Sequence, residues 1–265
     1  ARGNMVAPFK LRVTGMFCFN RPGFIIHRCI VLAVLGFVCA HSWAVEDYQA
    51  QRERLVAQIA RDVIETRGYT GKPALDERVM QVMASLGRHR FVPPGQQSQA
   101  YANRPLPIGY GQTISQPYIV ALMTDMLKPE AGDTALEIGT GSGYQAAVLS
   151  RLVEQVYTIE IIPELAESGA RRLARLGFDN VEVKNADGYH GWAEHAPFDC
   201  IIVTAAISHI PPPLVRQLKP GGVLVIPVGP AFQVQQLTLV EKSQDGEIST
   251  RQVLPVRFVP FTGKR

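Results

Sequence analysis

The sequence predicts an α/β protein built on a doubly wound, mostly parallel sheet, and three observations carry that prediction. Beyond Pro129, short β-rich apolar runs alternate with helical patterns, as in parallel strands joined by right-handed crossovers. The first run ends in Glu137-Ile138-Gly139-Thr140-Gly141-Ser142-Gly143, an acid followed by three glycines at alternate positions, which reads as a strand turning sharply into a helix over a nucleoside. The last two runs, Gln235 to Glu241 and Val253 to Val259, flank an Asp245-Gly246 turn and read as an antiparallel hairpin on one edge of the sheet.

Composition sets the frame for these elements. The chain has 265 residues, 46% of them hydrophobic, enough to bury a sizeable core. Its net charge of +4 is scattered, with no basic run interleaved with aromatics, so nucleic-acid binding has no support. Cys18, Cys29 and Cys39 fall in the first forty residues and Cys200 stands alone in the body, which gives neither a disulfide framework nor zinc spacing. Near the N-terminus, Arg12, Arg21 and Arg28 precede the uncharged run from Cys29 to Ala40. Small residues then flank a possible cut after Ala44, the grammar of a signal peptide. The run is shorter than the ~20 apolar residues of a spanning helix.

Taken in order, the first element is a helix from Glu46 to Arg67, with Leu55, Ile59 and Val63 on its apolar face and Gly68 at its end. Asp76 to Leu86 forms a second, with Val79, Val82, Met83 and Leu86 aligned; both read as a helical cap on the sheet. A further helix is expected from Pro117 to Leu127. Strands are expected at Thr134 to Ile138, Val156 to Ile159, Val181 to Val183, Cys200 to Val203 and Val223 to Ile226. Helices follow the first four, the third of them short, and Pro211-Pro212-Pro213 starts the last.

Three acids give the glycine turn its chemistry. Glu160 ends the second strand, where an open α/β sheet places a carboxylate that accepts from ribose hydroxyls. Asp187, with Gly188, ends the third and is placed to accept from an adenine amino group, while Glu137 is expected beside any bound amino group. A dinucleotide turn uses G-x-G-x-x-G and faces a pyrophosphate. This turn is G-x-G-x-G, and no Tyr-x-x-x-Lys or His-acid pair follows the fourth strand, which favours the sulfonium of S-adenosylmethionine. His89, His190, His195 and His209 are not spaced as metal ligands and read as surface or packing residues.

The Glu137 to Gly143 turn, Pro197-Phe198-Asp199-Cys200-Ile201-Ile202-Val203-Thr204-Ala205-Ala206 and Leu218-Lys219-Pro220-Gly221-Gly222-Val223-Leu224 resemble the motifs of class I S-adenosylmethionine-dependent methyltransferases. Leu106-Pro107-Ile108-Gly109-Tyr110-Gly111-Gln112-Thr113-Ile114-Ser115-Gln116-Pro117 resembles the signature of protein-L-isoaspartate O-methyltransferases, and Val256-Arg257-Phe258-Val259-Pro260 resembles their C-terminal strand. The resemblance runs from about Arg52 to the end. It implies a Rossmann-like methyltransferase domain over residues 45–265, with 45–128 as helical cap and substrate loop and 129–265 as cofactor-binding core. Residues 1–44 are then a signal peptide or a non-family extension.

The resemblance also implies the reaction: methyl transfer from S-adenosylmethionine to the free α-carboxylate of L-isoaspartyl residues, with closure of the ester to a succinimide. It marks Ser115 as catalytic. On the cofactor side it places Thr113, Ile114 and Ile161 with Glu137, Gly139, Gly141, Gly143, Glu160, Asp187 and Gly188, and Thr262 near them. On the substrate side it places Ile108, Ser115, Thr204, Ala205 and Ala206. Ser115 as a hydrolase nucleophile, with His209 or His190 as base, lacks the G-x-S-x-G elbow. A class I methyltransferase with a different acceptor and a non-catalytic nucleotide-binding module are the rival readings. The expected partners are isoaspartyl proteins and peptides, with no obligate protein partner. The expected compartment is the cytoplasm, where the methyl donor is made; export or membrane association follows only if residues 1–44 are retained as a working signal.

Overall fold

A seven-stranded sheet carries the fold in a computed structural model that describes residues 48–263. The signal-like segment therefore lies outside the described residues. Residues 48–65 form helix α1, followed by α2 (Arg67–Thr70), α3 (Glu77–Ser85), a two-stranded ribbon of β1 (Leu106–Gly109) and β2 (Gln112–Ile114), and α4 (Pro117–Met126). Then come β3 (Thr134–Ile138), α5 (Tyr144–Leu149), β4 (Gln155–Glu160), α6 (Pro163–Arg175), β5 (Val181–Asn185), β6 (Phe198–Val203), α7 (Pro212–Arg216), β7 (Leu218–Val228), β8 (Gln235–Lys242) and β9 (Ile248–Val256). The strand order is β5-β4-β3-β6-β7-β8-β9; the first five are parallel and β8 and β9 antiparallel, as the final hairpin predicts.

Alternation along the strands feeds two cores. Ala135, Cys200, Ile202, Val223 and Val225 face a layer containing Leu55, Ile59, Met83, Val120 and Leu149 from the helices. Leu136, Ile201, Val203, Leu224 and Ile226 face the other side, covered by Trp192, Leu214 and Phe261. The chain winds outward from β3 through β4 to β5 and returns to β6 on the other flank of β3, so a topological switch point lies between β3 and β6. Open α/β sheets bind ligands at the strand C-terminal ends beside such a point.

Several boundaries differ from the expected ones, each for a local reason. The first helix does not stop at Gly68: the Thr66 hydroxyl donates to the Asp62 carbonyl at 2.8 Å, a further helical turn follows, and Gly71 (φ +70°) closes it by donating to the Arg67 carbonyl. After β5 there is no α-helix but two 3₁₀ turns, Gly188–His190 and Ala193–His195. β7 begins at Leu218 because Leu218 pairs with Phe198. β9 ends at Val256, and the chain then changes partner. Val259 accepts from the Ala206 N–H, and Phe261 donates to the Ala206 carbonyl, each at 2.8 Å. Residues 257–261 thus form a strap across the end of β6. No helix among the described residues is long and apolar enough to cross a membrane.

Candidate active site

The glycine turn leaves β3 at the switch point, and its geometry follows from two contacts. The Gly141 N–H donates to Glu160 Oε2 at 2.8 Å, and the Ile162 N–H donates to Glu160 Oε1 at 3.0 Å, so the buried carboxylate ties the end of β4 to the turn. A carboxylate has about four acceptor positions, so two stay open for hydroxyl donors. Thr204, at the end of β6, donates to the carbonyls of Ile138 (3.0 Å) and Gly139 (2.9 Å). A Cβ at Gly139 would stand 2.3 Å from Thr204 Oγ1, and φ there is +101°, so only glycine fits.

These ends line a half-open cleft. Thr113, Gly139, Gly141, Glu160, Ile161 and Gly188 line it, Thr262 joins from the strap, and Thr204 and Ala205, expected on the substrate side, line it as well. Ile138, Ile159 and Ile162 supply apolar walls that sequence reasoning did not single out, although each flanks a predicted strand end. Glu160 is the only charged residue in the lining among the described residues. An apolar cleft with exposed backbone and one acid suits an adenosine carrying a positive sulfur.

A second, more open groove adjoins it. Ser115, between β2 and the Gln116 that precedes α4, lines this groove with Ile119, Arg257, Phe258, Phe232 and Val234. Ser115 is half-buried, and its hydroxyl has no hydrogen-bond partner among the described residues. Arg257 is the only charged residue in this lining among the described residues. Thr113, Thr204, Val259 and Pro260 line both spaces, so the groove and the cleft meet there. Sequence reasoning missed Phe232 and Val234 entirely; the Val256 to Pro260 motif was the available signal for the rest.

Six expected site residues line neither space. Glu137 is fully buried beneath the turn: Thr158 Oγ1 donates to its Oε2 at 2.6 Å, Thr158 and Thr140 hydroxyls lie 2.7 Å apart, and Oε1 has no partner. Burial pushes its carboxyl up to about 8, against the Thr158 hydrogen bond, with the nearby Glu160 charge adding to the rise. Gly143 (φ +83°) serves packing, since a Cβ there would lie 3.1 Å from Leu173 Cγ of α6. Asp187 caps the 3₁₀ turn by accepting from the Tyr189 N–H at 3.0 Å. Ile108 lies against Gly141, where its Cδ1 would be 3.3 Å from an added Cβ. Ile114 is buried in the helical-side core, and Ala206 anchors the strap through its backbone.

The histidines pack, as the sequence suggests. His89 stacks on Tyr48 at 4.0 Å and His195 on Tyr157 at 3.9 Å. His209 contacts Ser208 and Tyr189, each at 3.2 Å, and not Ser115.

Known proteins are similar to this chain in sequence and fold. The family model described as protein-L-isoaspartate(D-aspartate) O-methyltransferase matches residues 61–265. Protein-L-isoaspartate O-methyltransferase 2 of Polaromonas sp. (strain JS666) is 65% identical over 211 residues, covering 80% of this chain and all of the relative. The protein of the same name from Syntrophobacter fumaroxidans is 59% identical over 240 residues, covering 91% of this chain and 96% of the relative. A solved protein-L-isoaspartate O-methyltransferase superposes with a TM-score of 0.68 at 28% identity, over 80% of this chain and 66% of that one. The fold is also that of the Plasmodium falciparum structure described as a putative protein-L-isoaspartate O-methyltransferase in complex with S-adenosyl-L-homocysteine, with a TM-score of 0.63 at 23% identity, over 81% of this chain and 98% of that one. With the family model covering most of the described chain and relatives this similar along their whole length, this chain belongs to the protein-L-isoaspartate (D-aspartate) O-methyltransferase family.

Proposed function

We infer that this chain methylates the free α-carboxylate of L-isoaspartyl residues in damaged proteins and peptides, using S-adenosylmethionine, and so starts their repair through a succinimide. The observation that carries the reading is the meeting of two spaces of opposite polarity, one with Glu160 as its single charge and one with Arg257, across Thr113 and Thr204. S-adenosylmethionine, when bound, supplies a methyl group made electrophilic by a positively charged sulfur. Glu160, Gly139, Gly141, Ile161 and Gly188 would hold it, with Thr262 closing the cleft from the strap.

The chain's own residues then have one task, which is positioning. An acceptor carboxylate, with a pKa near ~4, is ionised at neutral pH, so no general base is required. Arg257 draws the anion into the groove, and the free Ser115 hydroxyl donates to one carboxylate oxygen and fixes its direction. Orientation and exclusion of water carry the rate. The ester product closes when the following backbone nitrogen attacks its carbonyl, expelling methanol.

The deciding experiment incubates the protein with labelled S-adenosylmethionine, an isoaspartyl peptide and its normal aspartyl twin. Labelling confined to the isoaspartyl peptide is expected; equal labelling or none overturns the reading in favour of another methyl acceptor. We place the enzyme in the cytoplasm on the supply of its methyl donor, and N-terminal sequencing of the native protein checks whether it begins at Val45.

A further inference from the structure

One exposed aromatic takes no part in packing or in the reaction as derived. Phe232 is 87% exposed, lines the acceptor groove, and has φ +62°, in the left-handed region that suits glycine or asparagine. Its conformation is set locally. The Gln233 N–H donates to the Pro230 carbonyl at 3.4 Å, which closes a four-residue turn with Phe232 in the third position, where glycine is the usual occupant of turns with positive φ.

The turn is held from beneath. Gln235 is fully buried, and its Nε2 donates to the carbonyls of Pro230 (2.9 Å) and Gln233 (2.7 Å) on either side of Phe232. The same carboxamide accepts from the Phe258 N–H at 2.9 Å, fixing the turn to the groove wall. A large apolar side chain is disfavoured at this position twice, by its backbone conformation and by its exposure to water. Such a residue held in place beside a catalytic groove points to a contact made only when the groove is filled.

A peptide whose isoaspartyl carboxylate reaches Ser115 must lay a neighbouring residue along the groove walls, which with Phe232 include the apolar Ile119, Val234, Pro255 and Phe258. We propose that Phe232 is a specificity-determining residue whose ring covers the side chain flanking the isoaspartyl residue, selecting acceptors in which that neighbour is apolar. The proposal rests on the acceptor reading given above, and its test separates the two.

The test uses the full chain and two variants, Phe232→Asn, which keeps a residue tolerant of left-handed backbone, and Phe232→Gly, which relieves the strained φ. Neither substitution removes a buried contact, so both proteins should fold. Isoaspartyl peptides carry Leu or Ser immediately before or after the isoaspartyl residue, each with its aspartyl twin. The unsubstituted protein should prefer Leu over Ser on one side by about tenfold in kcat/KM, the scale on which a hydrophobic wall discriminates. Both variants should reduce that preference to about twofold or less, through a raised KM for the Leu peptide. A preference that survives both substitutions, or one absent from the unsubstituted protein on both sides, overturns the role of Phe232 while leaving isoaspartyl methylation intact. Failure to distinguish any isoaspartyl peptide from its twin overturns the acceptor reading itself, and Phe232's role with it.

Discussion

The donor cleft is made from the C-terminal ends of four adjacent parallel strands, whereas the acceptor groove is assembled from loops around Ser115, Phe232 and Arg257 that lie far apart in the chain. The first is built on buried groups: Ile138, Glu160 and Gly188 are each almost inaccessible. The second exposes Phe232 and Val234 on its rim. A single small donor rewards a preformed cradle, while an acceptor that is any damaged segment of another protein requires an open one. The rigid space sets what is transferred; the open one sets to what.

If the two spaces are separable, substitutions in each should move different constants. The largest effect is expected for Gly139→Ala, whose Cβ would meet Thr204 Oγ1 at 2.3 Å. Displacing the turn should weaken donor binding roughly 100-fold or more, measured by titration calorimetry, and an unchanged affinity would mean the turn does not shape the cleft. Ser115→Ala should come next. It removes one charge-assisted hydrogen bond and should lower kcat by about 10- to 100-fold with donor affinity intact. Unaltered turnover would remove Ser115 from its role.

Arg257→Gln is expected to raise KM for the isoaspartyl peptide by about fivefold at low salt, an effect that shrinks as ionic strength screens the exposed charge. An equal loss of donor affinity would show that the two spaces are not electrically distinct. The least consequential for turnover is Glu137→Gln, which probes the floor beneath the cleft. The Glu137 carboxyl sits near 8 when folded and near its ordinary carboxylate value when unfolded. Between those values the unfolded chain binds fewer protons, so stability falls as pH rises, by up to about 1.4 kcal/mol per pH unit. Glutamine should flatten that slope in urea denaturation measured without donor across the same range; an identical slope would place the titration elsewhere.

The donor side was legible because its chemistry is local. Apolar runs buried on both faces mark β3, β4 and β6, and each ends in, or directly before, a residue that lines the cleft. Glu137 and Gly143, expected on the cofactor side with Gly139 and Gly141, line neither space. Glu137 shares a strand face with Ala135 and so points into the helical-side core, and Gly143 yields space to Leu173 across the layer. Neither tertiary neighbour is visible in the turn itself. The acceptor side resisted because its walls are joined by the antiparallel register of β8 and β9 and by the strap's change of partner at Ala206. Arg88, which no motif marks, is equally hidden: it is fully buried, donates to the Ala100 carbonyl at 2.8 Å, and lies over the Tyr144 ring at 5.0 Å.

The opposite polarity of the two spaces has an effect on turnover that neither space has alone. Before transfer, Glu160 shares its cleft with a cation and Arg257 shares its groove with an anion. Moving one methyl group neutralises the sulfur and esterifies the carboxylate in the same event. With the roles proposed above, the charge attraction on each side would weaken together, while hydroxyl hydrogen bonds to Glu160 would remain. On that reading, methyl transfer itself would loosen the hold on both products.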